Sequence, residues 1–441
     1  MNSSDDFPPD FQNYLNEEKY LCQEGDGGYR IFQAEGRLLA IDWAIERKIR
    51  EVIKNYGMID QSNFLCQFWK AVKMREDQYL LTTRQQPFST YGRYCEGLYG
   101  YRQACRNYEY YVDNEAEEGR LGIPGRVFKY KSFEMSPDVI YYTIQEYPQF
   151  DEAHRYCIRQ ILAFPVFELS NKQYVGVFEL ITTEHHCVVI WERVLQHRFH
   201  HILKVSGLGT LHEHGALHEH ATCPQRLISL DIHYWMKLKN ALDEICRNPA
   251  IHIAQAWELC NDYQSQFSRD TTNIGYLGLL MTLYNKAYYG QYGFSWLMNH
   301  KREGEGVAGM ALSSRKLSLC TEISQISIVD YSLKHYAIEY GWNAIFAICL
   351  ERNHNRKNDV VLEFSLKYQG DVYTLLYQIL KEMKKYLPSI RDSSGQELGE
   401  ESPILLINSG TNSRHNFMPM SEARSKYNNL YQMLQSPEGM M

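Results

Sequence analysis

No run of this chain is apolar for the ~20 residues that crossing a bilayer requires; the longest, residues 275–284, falls well short. No membrane span is expected. The 11 cysteines are scattered from Cys22 to Cys349 with no C-x-x-C pair, which excludes a zinc ribbon and fits reduced thiols in cytosol or nucleus better than a disulfide framework. Basic charge is also short, with 46 Lys and Arg against 53 Asp and Glu and a net charge of −7, so no broad face for nucleic acid is expected. The opening MNSSDDFPPDFQ lacks the basic start and apolar core of a secretory signal. There is no G-x-S-x-G elbow, no H-E-x-x-H and no Walker loop, so no enzymatic activity, cofactor or metal is expected.

What the chain does have is material for packed interiors: 441 residues, 44% hydrophobic and 13% aromatic, enough for two domains of about 150–200 residues each. It also repeats itself. At a constant offset of 184 residues Gly122 falls on Gly306, Gly125 on Gly309, Tyr147 on Tyr331, Tyr156 on Tyr340, Ala163 on Ala347 and Glu179 on Glu363. Upstream, Gln67-Phe68-Trp69 matches Gln255-Ala256-Trp257 at an offset of 188. A duplicated domain follows.

Each copy has the same order of elements. A helix opens it, striped by Leu38, Ile41, Ile45, Ile49 and Val52, or by Leu227, Leu230, Tyr234, Leu238, Leu242 and Ile245. Aromatic and aliphatic strands come next, at Phe64–Val72 and Tyr79–Thr83 and at Ile251–Leu259 and Tyr276–Leu283. After a glycine turn and a short helix near Tyr147 or Tyr331, a strand pair (Leu162–Leu169 with Tyr174–Thr183; Ala344–Glu351 with Asp359–Leu366) leads to a closing helix. Short strand-to-strand turns cannot make parallel crossovers, so the expectation is α+β: two tandem domains, each a mostly antiparallel sheet covered by helices, the plan shared by GAF and PAS modules. Glu179 and Glu363 alternate within these strands and are expected on the solvent side or in ion pairs.

Composition sets the expected boundaries. Residues 1–37 form an N-terminal extension, 38–205 the first domain, 206–225 a linker rich in His and Gly, 226–391 the second domain, and 392–441 a polar tail without order. The linker's His212-Glu213-His214 and His218-Glu219-His220 read as flexible segment before metal site.

The segments Leu121-Gly122-Ile123-Pro124-Gly125-Arg126-Val127-Phe128, Tyr147-Pro148, Phe164-Pro165-Val166-Phe167-Glu168 and Gly176-Val177-Phe178-Glu179-Leu180 resemble the amino-terminal regulatory region of the NIN-like (nodule-inception-like) plant transcription factors. So do Glu305-Gly306-Val307-Ala308-Gly309, Asp330-Tyr331, His335-Tyr336-Ala337 and Val361-Leu362-Glu363-Phe364; the similarity runs from about residue 38 to 390. The resemblance implies a nitrate-responsive region, followed in full-length members by an RWP-RK DNA-binding domain and a PB1 interaction domain. No Arg-Trp-Pro-x-Arg-Lys sequence occurs here, so direct DNA reading by this chain is not expected. Location in nucleus and cytoplasm, and pairing with family members through terminal helices, are further expectations.

Nitrate is a planar, weakly basic monoanion whose binding needs convergent donors, such as the free N–H groups of a helix start plus a hydroxyl or imidazole. Gly304, Gly306 and Gly309 supply a candidate set of N–H groups before Met310–Ser314. The resemblance points to the same place, because the family's sensing site is associated with a His-His-Leu stretch ahead of this turn and a Tyr after it. Here that stretch reads Asn299, His300, Lys301, and the tyrosine is Tyr331. The candidate nitrate ligands are thus Asn299, His300, Lys301, Gly306, Gly309 and Tyr331. Tyr331 also has a packing reading, since Tyr147 holds its place in the first copy. Gly304-x-Gly306-x-x-Gly309 imitates a dinucleotide fingerprint, but the residues before it are charged where a buried parallel strand would be needed. Asn171-Lys172 with Phe178 likewise lacks the acidic pair of a cyclic-nucleotide signature, with Thr182-Thr183 in its place.

Overall fold

A computed structural model describes residues 29–32, 43–57, 63–91, 96–184, 199–210, 232–259, 276–284, 300–302, 304, 306–350, 359–368, 370–387, 403–407, 416–419, 421–422 and 425. The chain divides into two compact units, Met1–Ala216 and Leu217–Met441.

The first unit runs β1 (Tyr29–Phe32), α1 (Trp43–Gly57), β2 (Phe64–Arg75), β3 (Gln78–Thr82), β4 (Phe88–Tyr91), α2 (Glu96–Cys105), β5 (Glu109–Val112), α3 (Glu118–Tyr130), β6 (Glu134–Ser136), α4 (Phe150–Arg155), β7 (Gln160–Glu168), β8 (Tyr174–Thr182), α5 (His200–Val205) and β9 (Leu208–Gly209). Its sheet follows the order β1-β4-β2-β8-β7-β6, with β3 on β2, β5 on β3 and β9 on β7, and every pairing in it is antiparallel. Alternation along β2, β7 and β8 sends Phe68, Phe164 and Phe178 to one face, where Phe178 and Phe164 meet Phe199 edge-on at 5.4 and 4.8 Å. Leu65, Trp69, Ala163, Val177 and Ile181 go to the other, joining Leu98, Tyr101, Leu121 and Val127 of α2 and α3 in one buried cluster.

The second unit runs α6 (Ile232–Ile245), β10 (Ile251–Leu259), β11 (Tyr276–Tyr284), β12 (His300–Arg302), α7 (Gly306–Ser314), β13 (Leu317–Cys320), α8 (Lys334–Tyr340), β14 (Ala344–Leu350), β15 (Val360–Leu366), α9 (Val372–Tyr386), β16 (Pro403–Leu406) and β17 (Asn416–Pro419). Its sheet order is β12-β11-β10-β15-β14-β13-β16-β17. Leu238, Leu242, Leu376 and Ile379 of α6 and α9 cover one face through Ala254, Phe346, Leu362 and Phe364. Helix α7 packs against β12 to β15. Both units are thus α+β, each a largely antiparallel sheet with helices on it, as the periodicity implies.

Three expectations about boundaries are corrected. Within the N-terminal extension, Tyr29–Phe32 is a strand paired with β4. In the linker, Leu208–Gly209 pairs with β7, and Ser206 and Thr210 are buried, so these residues fold with the first unit; the linker's histidines lie outside the described residues. In the tail, Pro403–Leu406 pairs parallel with β13 and antiparallel with β17, and Ile404 and Leu405 are fully buried. A four-residue apolar run is lost when composition is averaged over a 50-residue polar segment, yet a sheet edge requires only that much chain. The glycine turn is likewise a helix: Gly122 (φ +55°) kinks α3 and Gly306 (φ +63°) opens α7.

Candidate functional site in the second unit

The sheet face turned away from α6 and α9 carries an unusual set of polar groups. Pairing places Gln255 opposite Glu363 and Ala347 on its other side, with Trp257 opposite Val361 and Ile253 opposite Ser365. Glu363, Gln255 and Ser365 are all buried. Tyr331, between the α7–β13 unit and α8, reaches this face: its hydroxyl is hydrogen-bonded to Ser365 and lies near Glu363 and Cys320. Burial pushes that hydroxyl well above the ordinary range of a phenol, the Glu363 carboxylate adds to the rise, and the Ser365 bond opposes it. Tyr331 therefore stays a neutral donor. Its backbone is fixed as well, with Tyr331 N donating to Ser327 O at 3.0 Å and Lys334 N donating to Tyr331 O at 2.9 Å.

Helix α7 begins beside it. A Cβ on Gly306 would stand 2.4 Å from the Asp330 carbonyl oxygen, so glycine is required both by the left-handed φ and by this contact. The first turn of the helix, residues 306–309, has backbone N–H groups without intrahelical acceptors and carries the positive end of the dipole. Gly309 lies in that turn, and its carbonyl accepts from Gly304 N at 3.0 Å. On the other side of α7 runs the edge strand β12, with His300 opposite Gly278 and Lys301 opposite Leu277.

The duplication gives Lys301 a precedent. In the first unit Lys70 pairs with Thr82, and Leu81 pairs with Tyr110; in the second, Glu258 pairs with Gly278, and Leu277 with Lys301. Lys301 thus occupies the ladder position of Tyr110, whose ring lies against the Gly122 kink, where a Cβ would meet it at 2.5 Å. Of the six expected ligands, the structure brings Gly306, Gly309 and Tyr331 together and sets the backbone of His300 and Lys301 on the strand that borders them. Asn299 lies outside the described residues.

Sequence reasoning missed the inner wall of this site. Glu179 and Glu363 do not face solvent: they are 2% and 1% exposed. Alternation was read correctly, but both faces of these central strands are covered by helices, so neither face offers water. In the first unit Gln67 Nε2 and Trp69 Nε1 both donate to Glu179 Oε2, at 2.7 and 2.5 Å. Burial lifts the Glu179 carboxyl to about 7, against those two bonds, which favour the charged form. The signal was present in the repeated Gln-x-Trp and Glu, which keep their relative places in both copies.

Other motifs resolve without a site. The strand before Gly304 is an antiparallel edge strand, which removes the parallel strand a dinucleotide fold needs. Asn171 belongs to the β7–β8 turn, bonded to Glu168 at 2.9 Å and accepting from Gln173 N at 2.8 Å. Among the described residues no three His, Cys, Asp or Glu side chains gather as a metal site, and no helix is long and apolar enough to cross a membrane.

Comparison with known proteins bears on the same region. Residues 230–393 match the NLP protein GAF domain. The chain is 29% identical over 386 residues to Protein NLP6 of Arabidopsis thaliana, covering 82% of this chain and 44% of that protein. It is 28% identical over 386 residues to Protein NLP7 of the same plant, covering 82% and 38%, and 28% identical over 367 residues to Protein NLP3 of Oryza sativa subsp. japonica, covering 78% and 38%. The chain therefore spans about two-fifths of the length of these relatives. Among solved structures, a Staphylococcus aureus NreA protein mutated in its nitrate binding site aligns at 15% identity and a TM-score of 0.23, covering 32% of this chain and 89% of that one. The A. Aeolicus nlh2 GAF domain in an inactive state aligns at 15% identity and a TM-score of 0.22, covering 38% of this chain and 82% of that one. Residues 230–393 of the second unit are thus similar to the GAF domain of NLP proteins, and the chain as a whole is similar, over about four-fifths of its length, to the plant NLP proteins.

Proposed function

We propose that this chain is the sensing region of an NLP-type regulator of transcription, and that its second unit binds nitrate where the first turn of α7 meets Tyr331. The observation that carries the reading is the seating of Gly306 on the Asp330 carbonyl, which sets the open N–H groups of a helix start beside a buried phenol. Lys301, standing where the family has leucine, adds a cationic residue on the bordering strand. The resemblance at His300 and Tyr331 supplies the identity of the anion. Binding would favour one packing of α7 and α8 on the sheet and pass that preference to attached domains or partners, in nucleus and cytoplasm. No DNA reading is assigned to this chain itself.

Isothermal titration of the purified chain with nitrate, against chloride and chlorate, tests this. Saturable heat for nitrate alone, lost in Gly306→Ala, is the expected result; equal heats for all three anions, or none at millimolar concentration, would remove nitrate from the proposal. A second reading is favoured by the Tyr331 hydroxyl being already engaged by Ser365: the fold then serves as a ligand-free interaction module for full-length relatives. Co-purification with such a relative that is indifferent to nitrate would support that reading instead.

A further inference from the structure

The corresponding face of the first unit contains groups that its own side chains do not satisfy. Gln67 Oε1 and the Tyr110 hydroxyl are buried, and among the described residues neither meets a hydrogen-bond partner. Leaving each unsatisfied costs about 1–3 kcal/mol, which a donor or acceptor brought to them would recover. Both belong to the surroundings of Glu179. Gln67 Nε2 is on Glu179 Oε2 and 3.6 Å from Cys105 Sγ, while the Tyr110 ring tilts against Trp69 with centroids 5.4 Å apart. The two donors available to the carboxyl, from Gln67 and Trp69, converge on the same oxygen. What remains over is an amide oxygen, a phenol oxygen and the second carboxyl oxygen, framed by an indole and phenol rings.

That remainder is rich in acceptors and poor in donors. An anion would present lone pairs to the Gln67 amide oxygen and to a carboxylate, with the Tyr110 hydroxyl as its one donor among these three groups. A potassium-sized cation without N–H groups would satisfy charge but not the directions of the bonds. An ammonium group donates in every direction it faces, and both a carboxylate and the faces of aromatic rings favour its charge. Arg102 does not compete for the place. Its guanidinium is committed to Thr83 Oγ1, Thr83 O and Gln86 O at 2.6, 2.7 and 3.0 Å and lies 4.7 Å over the Phe88 ring.

We propose that the first unit binds a small ammonium cation, ammonium itself or a primary alkylammonium, between Glu179, Gln67 and Tyr110. The two units differ in residue type at this ladder position, Tyr110 in the first and Lys301 in the second.

Binding is linked to the Glu179 proton. The groups that face this carboxyl are Gln67 and Trp69 of β2, Tyr101, Arg102 and Cys105 of α2, Tyr110 of β5, Glu134 of β6 and Tyr147. Burial keeps Cys105 and the tyrosines neutral at physiological pH, Glu134 raises the carboxyl and Arg102 lowers it. With the carboxyl held up to about 7, the cation must displace a proton below that pH, so affinity falls about tenfold per pH unit below 7 and levels above it.

The test is titration of the full chain with ammonium chloride and methylammonium chloride, against potassium chloride at matched ionic strength, at pH 6 and pH 8. Calorimetry in buffers of different ionisation enthalpy counts the protons released. The expected result is a saturable response to both ammonium salts, about tenfold weaker at pH 6, with close to one proton released there and none to potassium. Glu179→Gln and Tyr110→Phe lose it, while Glu363→Gln keeps it. An equal response to potassium, binding that is indifferent to pH, or a response that survives Glu179→Gln would each overturn the proposal. So would silence from both ammonium salts, which would mean that ordered water alone fills the interior. The wild-type selectivity and pH dependence decide the matter even if a variant does not fold.

Discussion

In the first unit Arg126 is buried against Glu134, with two guanidinium–carboxylate bonds of 2.6 and 2.9 Å, a third to the Glu146 carbonyl at 2.5 Å, and the Tyr142 hydroxyl donating to the same carboxylate at 2.9 Å. At the same three places the second unit has Met310, Ser318 and Ile326. A buried ion pair and an uncharged set of residues are therefore alternative occupants of the same positions, and the fold is specified by the sheet and helix pattern that the units share. Elsewhere the exchange runs the other way. Phe64 of the first unit corresponds to His252, which accepts at Nδ1 from Trp342 Nε1 at 3.2 Å. Burial, with Lys367 adding to it, lowers the His252 pKa to about 4. The pairs also differ at their edges, because β6 ends the described first sheet whereas β13 is extended by β16 and β17.

The largest effect expected is at that edge. Deleting residues 402–441 removes Ile404 and Leu405 from the interior and should cost the second unit about 3–6 kcal/mol, read as lost hydrogen-exchange protection on β13 with β7 unchanged. Unchanged protection on β13 would show the strand to be dispensable. Next is Arg126→Met, the second unit's own residue, which strands the Glu134 charge and should cost about 3–5 kcal/mol by urea denaturation. Arg126→Met combined with Glu134→Ser should recover most of it; equal losses in the single and double variants would refute the exchange.

A smaller effect separates the units by pH. The Glu179 carboxyl, held up to about 7 from an ordinary 4.5, binds a proton that the unfolded chain has already released. The first unit's stability from this group is full below about 4.5 and declines as pH rises to 7. Glu179→Gln should abolish the decline, a gain of ~3 kcal/mol at neutral pH. His252 has the opposite sign: its contribution is full above 6.5 and is lost as pH falls toward 4, and His252→Phe should flatten that acid limb. Parallel pH profiles of exchange on β8 and β10 would contradict both. Smallest is the glycine pair. Gly306→Ala meets a backbone oxygen that cannot move aside, Gly122→Ala a tyrosine ring that can, so losses of about 2 and about 1 kcal/mol are expected; the reverse order would argue against the Asp330 contact.

Much of the fold was legible. Ile251–Leu259 is a strand over the whole predicted range, and β7, β8, β14 and β15 differ from expectation by a residue or two at their ends. Hydrophobic alternation and a duplicated pattern are local signals that survive in one dimension. The geometry of the candidate site was legible in part: Gly306 stands against the Asp330 carbonyl, next in sequence to Tyr331, because a helix start and a later loop pack on one sheet face. Ser365, Cys320 and Glu363 escaped notice as its inner wall, since their proximity to Tyr331 depends on strand register. The short strands β1, β9 and β16 escaped notice because so few residues carry no period.

The order of helices and strands, the tandem copying and the residue types available to each copy were written in the sequence, since periodicity and repeat spacing follow from backbone geometry alone. Whether a glutamate on an alternating strand meets water or a helix was decided by tertiary structure. A strand's pattern says which residues share a face, and only the layer packed on that face sets the dielectric and the partners that fix a carboxyl's charge.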